Sequence, residues 1–164
     1  MSNQSINVMF VCMGNVCRSP AAHAVLVHKL RERGLDQRVR VASSGTIAYH
    51  VGEPADSRMR QELASHGIKS ISRAEQFIPE DFSRYDIILA MDRTNYESLK
   101  EMAVNGNSQY LSRVRLFREF DPEGPGDVPD PYYGGRSGFS EVFRMVDRTT
   151  DSLLDHIISG ALVQ

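Results

Sequence analysis

At 164 residues and 41% hydrophobic, the chain can bury one sizeable core but is short for two, so residues 1–164 read as a single domain. Its 19 basic and 21 acidic residues give a net charge of −2, which excludes any general attraction to nucleic acid or anionic lipid. No segment approaches the ~18 apolar residues of a membrane span, and residues 1–7 lack the pattern of a signal peptide. With only two cysteines, a reducing cytoplasmic compartment is expected rather than a disulfide-stapled secreted fold.

Ile6 to Val11 is apolar with little alternation, predicting a strand covered on both faces. A helical pattern opens at Pro20, with Ala22, Val25, Leu26 and Leu30 on one stripe. Ser19 or its neighbour is placed to cap it, and Gly34 stops it. Val39 and Val41 alternate with Arg38 and Arg40 in a more exposed strand, which ends in the turn Ser43-Ser44-Gly45-Thr46. Asp56 is placed to cap a helix with Met59 and Leu63 inward and Gly67 at its close. Pro79 to Phe82 predicts a short helical turn, and Ile87 to Met91 a second buried strand with Asp92 at its carboxyl end. Asn95 to Met102 reads as a helix and Val114 to Phe117 as a short fourth strand. Residues 118–137 form a proline- and glycine-rich loop, longer than a compact domain usually carries without a function for it. The last helix sets Phe139, Val142, Phe143, Val146, Leu153, Leu154, Ile157 and Ile158 on one face.

This alternation predicts an α/β fold: an open, four-stranded parallel sheet with helices on both faces, in three layers. Ligands of such sheets sit outside the carboxyl ends of the strands, at the switch point in strand order. The segment after the first strand, Ser43-Ser44 and Asp92 all fall at carboxyl ends.

The segment after the first strand is Cys12-Met13-Gly14-Asn15-Val16-Cys17-Arg18-Ser19-Pro20. A loop leaving a strand and entering a helix gathers backbone N–H groups at the positive end of the helix dipole, a nest for a tetrahedral oxyanion. Arg18 adds a planar charged fork that holds two oxyanion oxygens at once. The same groups stabilise a thiolate at Cys12, and a thiolate beneath a bound phosphate is placed to attack phosphorus. Ser19 can donate its hydroxyl proton to that sulfur and so improve it as a leaving group. The competing account is a buried strand-end cysteine beside a surface arginine. A zinc site is disfavoured, since two cysteines supply at most two ligands and the five histidines show no paired spacing. No metal or cofactor is expected.

Cys-x5-Arg followed by Ser is the signature of the cysteine-dependent phosphatases. The loop Val11-Cys12-Met13-Gly14-Asn15-Val16-Cys17-Arg18-Ser19-Pro20 resembles in particular the low-molecular-weight protein-tyrosine phosphatases, which carry it at the extreme N-terminus. Asp130-Pro131-Tyr132-Tyr133-Gly134 resembles the family's second hallmark. A displaced phenoxide needs a proton, which neither Cys12 nor Arg18 can give. Asp130 is the best candidate, because proline on either side holds it extended and keeps it from serving as a helix cap or turn residue. By composition alone it reads sooner as an ordinary Asp of a proline-rich turn. The resemblance assigns it the acid's role, and after donation a base's role toward water.

The resemblance also implies that Met13, Gly14, Asn15, Val16, Cys17 and Ser19 contact substrate, with Tyr49, Tyr132 and Tyr133 as aromatic walls. Asn15 and Ser43 match positions that brace the loop, and Asp92 matches an acid in the family's Met-Asp strand end. Cys17 matches a second loop cysteine that can form a reversible disulfide with the oxidised nucleophile, and it also reads as a small packed thiol. The implied partners are phosphotyrosine proteins as substrates and a cognate tyrosine kinase. One departure stands out: Ser72-Arg73-Ala74-Glu75-Gln76 lies where many members carry His-x-Ala-Arg-Gln, which puts the brace given by that His in doubt. An arsenate reductase on this fold would need further cysteines, and relatives acting on phosphoarginine carry Thr in place of Val16. A catalytically silent phosphopeptide-binding module would be expected to have lost Cys12, Arg18 or Asp130, and an interaction protein using the tyrosine-rich loop would not require the thiol.

Overall fold

The apolar run near the start of the chain forms β1 (Ile6–Cys12), and its alternate residues supply two separate cores. Val8 and Phe10 enter one of them, Met9 and Val11 the other. In the computed structural model, which describes residues 5–160, β1 pairs in parallel with β2 (Val39–Gly45) on one side and β3 (Ile87–Ala90) on the other. With β4 (Val114–Leu116) beyond β3, the strand order is β2-β1-β3-β4, all parallel. The expected sheet is therefore present, and its order reverses at β1.

Helices α1 (Arg18–Glu32), α2 (Ser57–Ser65) and α5 (Arg136–Ile158) contribute to the core that holds Phe10 and Leu89. The short α3 (Asp81–Arg84) and α4 (Arg93–Ala103) cover the opposite face over Met9, Val11 and Ile88. These are the three layers. Phe10 packs edge-on against Phe117 with ring centroids 5.4 Å apart, and both rings are fully buried.

Several boundaries differ from the sequence reading. The turn expected at residues 43–46 begins later, because Ser43, Ser44 and Gly45 stay in register with Phe10, Val11 and Cys12. Phe117 leaves β4 to start a 3₁₀ turn, Phe117–Phe120, so the long loop is shorter at that end. Ile158 is 49% exposed, because Ile157 takes the inward position as α5 ends. Helix α1 starts at Arg18, two residues before Pro20, which the first turn accommodates because amides there lack an intrahelical acceptor. No side chain caps α1, so Ser19 is not the cap expected of it.

Among the described residues no helix is long and apolar enough to cross a membrane. The expectation of a single domain over residues 1–164 extends to residues 1–4 and 161–164, which lie outside the described ones.

His23, one turn into α1, pairs through Nδ1 with Ser43 Oγ at 3.0 Å. Burial pushes its pKa from 6.5 down to about 4. The unfolded chain therefore takes up this proton near pH 6.5 and the folded chain only near pH 4. His23 leaves stability intact above pH 6.5 and erodes it as pH falls toward 4. We expect the denaturation midpoint to fall between pH 7 and 4.5, with His23→Gln falling less steeply. Parallel slopes for the two proteins would assign that acid sensitivity to other groups.

Candidate active site

The chain leaves β1 at Cys12 and enters α1 at Arg18, and Asn15 makes the turn with φ 57°, the only positive φ of a non-glycine among the described residues. Asn tolerates this left-handed geometry better than most side chains. Its amide fixes the turn from both ends: Oδ1 accepts the Glu75 N–H at 2.9 Å, and Nδ2 donates to Ser19 Oγ at 2.7 Å. Because Ser19 Oγ accepts from Asn15, its own proton can go to Cys12 Sγ, 3.0 Å away, in preference to the more distant Ser44 O at 3.5 Å. The Asn15 N–H donates to the same sulfur at 3.3 Å. The Ser19 hydroxyl and the Asn15 N–H thus converge on one buried sulfur.

The loop's carbonyls are turned outward. Cys12 O accepts from Thr46 N–H at 3.0 Å, Met13 O from Ile47 N–H at 3.1 Å and Val16 O from Asp56 N–H at 2.7 Å. With these carbonyls satisfied behind the loop, its amides are left for the concavity. Gly45 makes the fit possible. A Cβ there would lie 2.6 Å from Met13 O, so the end of β2 can meet the loop only without a side chain.

Arg18 is 3% exposed. Its Nη1 donates to Asp92 Oδ2 at 2.7 Å and to Val128 O at 3.0 Å, while Nη2 stands 3.7 Å from Asp130 Oδ2. Burial alone would lower the guanidinium pKa, but Cys12 and Asp92 outweigh it and the net shift is upward, so Arg18 is firmly charged. Asp92 has a second task, accepting the Asn95 N–H at 2.7 Å as the cap of α4. Val128 N–H donates to Met91 O at 2.8 Å, which ties the proline-rich loop to the end of β3 two residues before Asp130. Contrary to the sequence reading, Asp130 is a turn residue: its Oδ1 accepts the Tyr132 N–H at 3.0 Å. The turn leaves Oδ2 facing Arg18.

These residues surround a cavity of about 240 Å³, lined by Cys12, Met13, Gly14, Val16, Cys17, Arg18, Tyr49, Asp130, Tyr132 and Tyr133. Asn15 and Ser19 are buried behind the loop. Ser43 is more remote, its hydroxyl engaged by His23. Ser72 is half-buried, and the Glu75 amide supplies the Asn15 contact near it. Tyr133 is 91% exposed and meets Tyr132 edge-on at 5.0 Å, while Tyr49 is 81% exposed on the far rim.

Ile47 and His50 also line the cavity and were not foreseen. His50 sits between Tyr49 and Tyr132, with centroids at 4.8 and 6.0 Å, and its Nδ1 is 3.0 Å from Glu53 Oε1. Its place beside Tyr49 was the only hint in the sequence. Cys17 is a free, buried thiol held well above the usual range, first by burial and then by the nearby Asp56 carboxylate. Among the described residues no group of three or more His, Cys, Asp or Glu could hold a metal ion.

A Cys-x5-Arg loop at the switch point of a parallel α/β sheet, closed over by an Asp-bearing loop, defines the class as a phosphate-loop protein. The chain belongs to the low molecular weight phosphotyrosine protein phosphatase family, whose profile matches residues 7–161. It is 43% identical over 150 residues to a low molecular weight protein-tyrosine-phosphatase of Streptomyces coelicolor, covering 90% of each chain. A crystal structure of a protein tyrosine phosphatase from Entamoeba histolytica superposes with a TM-score of 0.90 at 35% identity, covering 96% of this chain and 99% of the other. A drosophila arginine phosphatase superposes with a TM-score of 0.85 at 31% identity, covering 92% and 96%.

Proposed function

We propose that this protein hydrolyses phosphotyrosine monoesters in proteins through a phosphocysteine intermediate. The observation that carries this reading is the convergence of Cys12 Sγ, Arg18 and Asp130 on one cavity, with Ser19 Oγ 3.0 Å from the sulfur and Asp130 Oδ2 3.7 Å from the guanidinium. The loop amides and Arg18 hold the phosphoryl oxygens, and the Cys12 thiolate attacks phosphorus. As the P–O bond breaks, protonated Asp130 gives its proton to the departing phenolic oxygen. Asp130, now a carboxylate, takes a proton from water as that water attacks phosphorus. The P–S bond then breaks, phosphate leaves, and the Ser19 hydroxyl steadies the returning thiolate. The aromatic rim of Tyr49, Tyr132 and Tyr133 suits the ring of phosphotyrosine. Two free thiols fit a reducing cytoplasm, and a tyrosine kinase is the activity whose product this enzyme would consume.

Steady-state turnover of phosphopeptides carrying Tyr, Ser, Thr or Arg phosphates tests the substrate class. Phosphotyrosine is expected to dominate, EDTA to change nothing, and Cys12→Ser to abolish turnover while still binding phosphate. Preference for phosphoarginine, the chemistry named for the drosophila relative, would overturn the substrate class.

Replacing Asp130 with Asn keeps the turn's shape and removes the proton. General acid assistance is typically worth ~10²–10⁴ in rate, and most where the leaving group is poor. We expect kcat/KM to fall far more on phosphotyrosine than on p-nitrophenyl phosphate, whose leaving group departs readily as an anion. Equal losses on both esters would make Asp130 a bystander and Asp92 the next acid to test.

Peroxide should inactivate the enzyme reversibly. It oxidises the Cys12 thiolate to a sulfenic acid, and the Cys17 sulfur then displaces water to form a disulfide. Burial holds the Cys17 thiol well above the usual range, so its attack is slower than that of an ordinary cysteine. Intact mass should fall by two hydrogens, and Cys17→Ser should recover less activity on adding thiol. Equal recovery of the two proteins would remove the disulfide from the account.

A further inference from the structure

Helix α2 bears no residue of the proposed chemistry, yet its first turn touches both loops that do. Asp56, its N-cap, donates its backbone N–H to Val16 O at 2.7 Å and so holds the back of the Cys12–Arg18 loop. The Asp56 carboxylate grips Arg58 with two bonds, Oδ1 accepting from Nε at 3.0 Å and Oδ2 from Nη2 at 2.9 Å. Such a paired contact fixes the plane of the guanidinium as well as its position. From that plane Nη2 also donates to Tyr132 O at 3.0 Å, in the loop that carries Asp130. The guanidinium carbon lies 4.6 Å from the centroid of the Phe139 ring in α5 and 5.5 Å from that of Tyr132.

One side chain thus joins the support of the nucleophile's loop to the backbone of the acid's loop. Elsewhere the acid's loop is held two residues before Asp130, by the Val128 N–H on Met91 O and by Arg18 Nη1 on Val128 O. At Asp130 itself Arg18 Nη2 lies 3.7 Å from Oδ2, and Oδ1 accepts the Tyr132 N–H in a turn. That turn orients the carboxylate only if Tyr132 itself is fixed, and the Arg58 bond to Tyr132 O fixes it from the other side.

We propose that Arg58 is a positioning residue for the reaction: by holding the Tyr132 peptide against α2, it sets Asp130 at the distance from Cys12 that proton donation requires. This rests on the reading of Asp130 as the acid. The physical basis is that proton transfer needs heavy atoms at about 2.6–3.2 Å, and that small displacements of a catalytic group cost rate steeply. A lysine at this position keeps the charge but cannot grip Asp56 through two nitrogens and reach Tyr132 O as well.

The test is kcat/KM for Arg58→Lys and Arg58→Ala on a series of aryl phosphates from p-nitrophenyl phosphate to phenyl phosphate, with Asp130→Asn and the Arg58→Lys/Asp130→Asn double variant alongside. Wild type should depend weakly on leaving-group basicity. The Arg58 variants should become steeper, losing about tenfold or more on phenyl phosphate beyond their loss on p-nitrophenyl phosphate. In the Asp130→Asn background, Arg58→Lys should add no further steepness, because there is no proton left to misplace. Inorganic phosphate should bind wild type and Arg58→Lys alike. Should Arg58→Ala fail to fold, Arg58→Lys carries the comparison. Equal losses across the series, or steepening that persists without the Asp130 carboxyl, would overturn the role given to Arg58. If Asp130→Asn itself shows no leaving-group dependence, the acid assignment fails first, and the two failures are told apart by that single variant.

Discussion

The orientation of the peptide planes between Cys12 and Arg18 is the constraint from which the site follows. For amides to face an oxyanion, the carbonyls of the same peptides must find partners on the other side, since neither group can be left buried and unpaired. Cys12, Met13 and Val16 meet that demand with N–H donors from Thr46, Ile47 and Asp56, which lie far along the chain. The end of β2 and the start of α2 are therefore parts of the site although they supply none of its chemistry. Asn15, with its left-handed backbone and doubly engaged amide, is where the arrangement locks.

Burying a guanidinium is the second demand. Arg18 is almost wholly out of solvent, and an unpaired charge there would carry a large desolvation cost. Asp92 and the Val128 carbonyl relieve it, both gripping Nη1. A single terminal nitrogen takes up the structural contacts, while Nη2 faces Asp130 and the cavity side. The arginine is anchored at one corner and open at another, and the division is made by Asp92 at the cap of α4 and Val128 in the loop beyond β4.

Local patterns made much of this legible in the sequence. β1 is apolar but for Asn7 and β3 is an unbroken apolar run, α5 repeats its apolar face over 23 residues, and the loop between β1 and α1 concentrates unusual residue types at fixed spacing. What stayed hidden is mostly backbone. The Glu75 amide and the Val128 carbonyl hold Asn15 and Arg18, and any residue at those positions could supply them, so no side-chain pattern announces the role. Ser19 could have capped α1 or faced Cys12, and only the tertiary position of Asn15 selects the second. Gly45 looked like an ordinary turn glycine, because the 2.6 Å approach that demands it involves a peptide 32 residues earlier. Arg58 and His50 carried no motif at all, and their meaning depends on which loop lies opposite.

The spacing of these supports along the chain has a consequence for the protein's own synthesis. Cys12 and Arg18 emerge first, but the partners that shape and neutralise them sit at Gly45, Glu75, Asp92 and Val128. Closing such distant contacts requires the intervening chain to be present, and domains settle as units during translation. A ribosome most of the way through this message therefore carries a thiol with no cradle around it and an arginine with no carboxylate beside it. On this account the assembled site comes into being late, and truncated products of the same gene are expected to be inert rather than half-competent.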